Sequence, residues 1–98
     1  MNYAAFAKAD ARLIILKELS RQTDGRMNET MLTSVLDTFG HRRSRDWVRT
    51  QLRALEELGA VTLVEAGTVL IASISRAGLD HVERRIVIEG IAKPSPEH

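Results

Sequence analysis

The sequence predicts a mostly helical α+β domain: three helices, a two-stranded hairpin and a fourth helix. Two observations carry that reading. Apolar residues recur at helical steps in three stretches before Gly59, and the period turns extended after it, with β-branched runs on either side of Ala66 and Gly67. A third sets the scale: 98 residues at 44% hydrophobic and 28% charged support one modest core and are unlike a disordered chain. Aromatic residues make up only 4%, so aliphatic side chains must fill that core.

The first helix is expected over Tyr3–Arg21. Phe6, Leu13, Ile14, Ile15, Leu16 and Leu19 spread over much of its circumference, so it needs more than one neighbour, either inside the domain or on a partner subunit. Residues 23–27, TDGRM, are turn chemistry. Asn28 is placed to cap a second helix over Glu29–Phe39, with Met31, Leu32, Val35, Leu36 and Phe39 on its apolar side, and Gly40 closes it. Only residues 40–43 separate this helix from the next, which forces a sharp helix-to-helix turn.

The third helix, residues 44–58, has Ser44 as its cap and Gly59 as its stop. Trp47, Val48, Leu52, Leu55 and Leu58 gather into one stripe at roughly 100° per residue. Arg42, Arg45, Arg49 and Arg53 follow the same steps on an arc centred about 130° away. With Arg43 they concentrate positive charge, opposed locally by Asp46 alone, in a chain whose formal net charge is only +1. Helix stability does not explain the order, because cations near the N-terminus and Glu56 and Glu57 near the C-terminus both oppose the helix dipole. A solvated arginine stripe is the plain reading; a face that meets nucleic acid is the functional one.

Beyond Gly59, Val61–Glu65 and Val69–Ser75 read as a hairpin around Ala66 and Gly67, in a three-residue turn with a bulge. Ser75 then caps a last helix to about Arg85, with Leu79, Val82 and Ile86 inward. Residues 1–90 form the domain and 91–98, with Pro94 and Pro96, an extended tail. A three-helix core, a two-stranded wing and a C-terminal helix are the order of a winged helix-turn-helix.

The run SRDWVRTQLRALEELGAVTL resembles the recognition helix and first wing strand of ArsR- and MarR-type winged-helix proteins. Over nearly the whole chain, RLIILKEL, MNETMLTSVLDTFGH, ISRAGLDHVE and IEGIAKPSP resemble small proteins of Mu-like phages and prophages, commonly described as ArsR-like regulators. The resemblance implies a winged helix and binding of double-stranded DNA, as a transcriptional regulator. In the usual docking Arg45, Asp46, Arg49, Thr50 and Arg53 lie nearest the base edges, with Asp46 either accepting from a cytosine amine or, the plainer use, orienting Arg49 or Arg42; Arg42, Arg43 and the amides near Ser44 hold phosphate. The wing turn, EAGT, opposes this: it has no lysine or arginine and presents Glu65 to phosphate. A twofold dimer through the first helix and the C-terminal segment would double the contacts. The rival is an interaction module that docks a phage packaging or assembly protein.

Metal control does not carry over from the ArsR family. Without cysteine there is no thiolate site or disulfide, and Asp80, His81 and Glu83 read as one solvent-facing turn, so no metal or other cofactor is expected. Nor is catalysis: His41, His81 and His98 are scattered, no serine sits in a nucleophile elbow, and Glu56 and Glu57 diverge by about 100°. His41 reads as a polar turn residue or one more phosphate donor. No stretch approaches the roughly 20 apolar residues that span a bilayer, and a cytoplasmic protein is expected.

Overall fold

The computed structural model describes residues 2–96; His98 and the end of the expected tail lie outside them. The elements run α1 (Tyr3–Arg21), β1 (Arg26–Asn28), α2 (Glu29–Thr38), α3 (Arg45–Glu57), β2 (Val61–Ala66), β3 (Val69–Ile74) and α4 (Arg76–Val82). Four helices surround a three-stranded antiparallel sheet of order β1-β3-β2.

α1 is the axis of the core. Ala7, Ala11, Leu13, Ile15, Leu16 and Leu19 are buried and, at roughly 100° per residue, cover well over half of its circumference. All but Ala7 pack with Leu32 and Leu36 of α2, Val48, Leu52 and Leu55 of α3, and Leu70 and Ala72 of β3. Neighbours within the domain therefore account for most of the apolar excess on this helix. Of the apolar positions assigned to α2 and α3, Met31, Phe39 and Leu58 are exposed and Trp47 is half-buried. The two stripes are narrower than their periodicity implies, because short helices touch the core along one row.

The sheet differs from the expected hairpin. Arg26 and Met27, read as turn, form a third strand with the helix cap Asn28, with Met27 opposite Ala72 and Asn28 opposite Ile71. Three residues are too few to show a period of two, whereas Asp24 and Gly25 just before them are strong turn signals. The β2–β3 loop is also tighter than expected. Ala66 pairs with Val69, which leaves Gly67 and Thr68 as a two-residue connection. Gly67 has φ 64°, at the first central position where type II′ turns place glycine.

Helix α4 begins at the Ser75 cap, whose hydroxyl accepts from Gly78 N at 3.0 Å and donates to Gly59 O at 2.6 Å. A β-carbon at Gly78 would lie 2.2 Å from the Ala60 carbonyl oxygen, so glycine is what lets this helix press onto the start of β2. The helix stops at Val82, short of the expected Arg85, and Arg84 takes a left-handed φ of 65°. The early stop turns Ile86 outward, against expectation.

His81 corrects a further expectation: it is fully buried, not on a solvent-facing turn. Its Nδ1 accepts from Ile88 N at 3.1 Å and its Nε2 lies 2.9 Å from Ala92 O, so the ring pins the returning chain. The tail is held at its start as well, with Ile91 in the core and Ala92 N donating to Ala9 O at 3.1 Å. Arg12 adds a tie, donating to Gln51 Oε1 at 2.9 Å and Gly90 O at 3.1 Å; burial lowers its pKa from the ordinary value.

Candidate nucleic-acid interface

Helix α3 starts where the sequence places it. Ser44 Oγ accepts from Trp47 N at 3.1 Å, and the exposed Arg43 guanidinium stacks 4.6 Å from the centre of the Trp47 ring. Such an exposed cation–π contact contributes about 0.5–1 kcal/mol. Arg42, Arg43 and Ser44 just before α3, and Arg45, Thr50 and Arg53 on it, are exposed; Thr50 Oγ1 donates to Asp46 O within the helix.

The arginines do not form the free ridge that their spacing suggests. Arg49 Nη1 donates to Glu29 Oε1 at 2.8 Å and to Thr68 O at 3.1 Å, and the Arg49 side chain is only 29% exposed. Glu29, the first residue of α2, is completely buried. Its Oε1 also accepts from Leu70 N at 2.5 Å. Arg45 Nε approaches Oε2 at 3.3 Å, close as a charge but too poorly aligned for a hydrogen bond, so that oxygen has no hydrogen-bond donor among the described residues. One carboxylate thus clamps α2, α3 and the start of β3, and it holds two guanidiniums that sequence reasoning assigned to base edges.

The remaining arginines also meet partners, loosely. Arg42 Nε donates to Asp37 Oδ1 at 3.0 Å with its side chain 91% exposed, and Arg53 Nη2 lies 3.5 Å from Glu65 Oε2 on the hairpin. Exposed pairs of this kind contribute about 0–1 kcal/mol. Asp46, expected to orient Arg49 or Arg42, has no ion pair among the described residues; Glu29 and Asp37 take those roles. His41 is not available to phosphate, because its Nε2 lies 2.8 Å from Asp10 Oδ2 and its side chain is packed against α1.

Glu29 is the residue that sequence reasoning missed. A glutamate after an asparagine cap reads as a first-turn carboxylate complementing the helix dipole, and nothing local marks it as buried. The available signal was the spacing of Arg45 and Arg49, one turn apart on α3 and able to converge on a single acid. Among the described residues no three histidine, aspartate or glutamate side chains come together as a metal site, and no helix is long and apolar enough to cross a membrane.

What fold and site define is a small α+β protein that turns a mixed arginine and carboxylate helix face outward beside an antiparallel sheet. Comparison with known proteins then fixes its kinship. The chain belongs to the family of uncharacterized protein gp26 of Escherichia phage Mu, with 34% identity over 87 residues, 89% of this chain and 90% of that protein. An uncharacterized protein of Haemophilus influenzae is 40% identical over 63 residues, 64% of this chain and 61% of that one. No family model and no solved structure matches.

Proposed function

We propose that this protein is a winged helix that binds duplex DNA in general, through phosphate, with α3 laid along the major groove. The observation that carries the reading is the division within the arginine set. Arg49 is committed to the buried Glu29, whereas Arg42, Arg43 and Arg53 sit on the outer side, tied only by contacts that a phosphate can replace at little cost. The amides at the Ser44 cap add donors at the end of the helix that Arg42 and Arg43 precede. Contacts of this kind position a duplex without reading it. Base reading by Arg49 falls away, and Arg45, shared with Glu29, contributes at most a phosphate contact.

A second reading rests on a specific observation. Asp37, Glu65 and the buried Glu29 neutralise most of the arginine charge, and the hairpin tip carries no lysine or arginine. That pattern suits a winged helix docked on a packaging or assembly protein of a Mu-like phage. Fluorescence anisotropy with a random-sequence 20-base-pair duplex separates the two. Three phosphate contacts give a slope of about −3 in log K against log salt, since each contributes roughly −0.9. No binding at 25 mM salt would leave the docking module; a strong preference for one genomic fragment would restore a sequence-reading regulator.

A further inference from the structure

Three of the four aromatic residues in this chain are wasted as core: Tyr3 is 76%, Phe6 52% and Phe39 55% exposed. They share one side of the molecule. On α1 the residues left outside the buried arc are Tyr3, Phe6, Asp10, Ile14, Lys17 and Arg21, which at roughly 100° per residue lie within about 80° of one another. Phe39, from the end of α2, closes an open groove of about 290 Å³ along this strip, lined also by Asp10, Ile14, Lys17 and Arg21. Exposed aromatics beside aliphatic surface mark a protein contact, since they supply area at little entropic cost.

The order of side chains on the strip identifies the occupant. Apolar residues and an acid fill its first half, and cations its second. A twofold axis across α1 between residues 13 and 14 turns this polarity into complementarity. Asp10 of one copy then faces the partner's Lys17, Phe6 faces the partner's Arg21, and the two Ile14 side chains meet beside the axis. The groups concerned are available: Lys17 has no ion pair among the described residues, Arg21 has only an exposed one with Glu18 at 3.4 Å, and Asp10 Oδ1 is left over from the His41 contact made by Oδ2. We propose that two copies of this chain pair antiparallel through this strip of α1, exposed at Tyr3, Phe6 and Arg21 and half-buried at Asp10, Ile14 and Lys17, with each Phe6 entering the groove beside the other copy's Phe39. The pairing does not depend on α3 meeting DNA. One helical strip is less than a standard interface, so the dimer is weak and depends on concentration.

Sedimentation velocity from 5 μM to 1 mM, with circular dichroism as a control for folding, tests it. Wild type shifts from monomer to dimer across that range. Lys17→Glu and Asp10→Lys each weaken the dimer about tenfold or more, as two lost ion pairs and two new repulsions require, and the combined exchange restores it. Because the chain has no cysteine, Ile14→Cys gives a specific probe: it crosslinks to a dimer under mild oxidation, and Ser34→Cys on the exposed side of α2 does not. A wild type that stays monomeric at 1 mM, a folded double exchange that fails to recover pairing, or equal crosslinking at both positions would overturn the proposal.

Discussion

Replacing Glu29 with glutamine keeps the volume of a fully buried side chain and removes its charge. In the native protein Oε1 accepts from Leu70 N and Arg49 Nη1, and Oε2 faces Arg45 Nε at 3.3 Å. Glutamine can still accept at the first site, but its NH₂ then points at the Arg45 guanidinium, donor against donor. Breaking a buried pair costs about 3–5 kcal/mol when the orphaned charge stays buried. Here the arginines can swing out to solvent, which brings the expected loss to about 2–3 kcal/mol. For a domain of this size each kcal/mol lowers Tm by about 4–8 °C, so a fall of at least about 8 °C is expected. Glu29→Met should lose about 1–3 kcal/mol more, because it also strands the Leu70 amide. Urea denaturation followed by circular dichroism measures both. If neither variant moves the unfolding free energy by more than about 0.5 kcal/mol, a typical surface effect, the clamp contributes nothing and aliphatic packing alone holds the hairpin to α3.

Other variants test separate parts of the argument. Gly78→Ala forces a carbon to within 2.2 Å of the Ala60 carbonyl and should cost about 3 kcal/mol or more, whereas Gly67→Ala, with open space but φ 64°, should cost about 1–2 kcal/mol; thermal melts compare the pair. His81→Leu removes the bonds to Ile88 and Ala92 and should release the last segment, seen as faster proteolysis after Arg85 while the α1–α3 core stays folded. Arg42→Ala and Arg53→Ala should each reduce the salt slope of DNA binding by about 1 and weaken every sequence alike. Arg49→Ala should instead reduce stability, a distinction that denaturation and anisotropy together make visible.

The architecture was readable wherever local chemistry and long-range packing agree. The caps at Asn28, Ser44 and Ser75 accept the amides that their types suggest, at Met31, Trp47 and Gly78, and the bounds of α1 fall where its apolar run begins and ends. What escaped were contacts made between distant positions by short segments. β1 exists because Met27 reaches Ala72, 45 residues on, and His81 is buried because the chain returns over it at Ala92. The arginine face was legible as a stripe but not as a set of pairs. Periodicity shows which residues share an arc, and it does not show that a carboxylate 20 residues earlier lies under Arg49.

Because β3 lies in the middle of the sheet, paired with β1 on one side and β2 on the other, the hairpin cannot sway on its own loop as an isolated ribbon would. The Leu70 amide is taken by the buried Glu29 carboxylate and Ala72 lies between Met27 and Leu63, so hydrogen exchange at both should be as slow as in α1, while the outward amides of β2 exchange freely. Because Glu29 and Arg49 also tie β3 and the β2–β3 turn to α3, a surface that touches both hairpin and helix would meet them in one fixed relation.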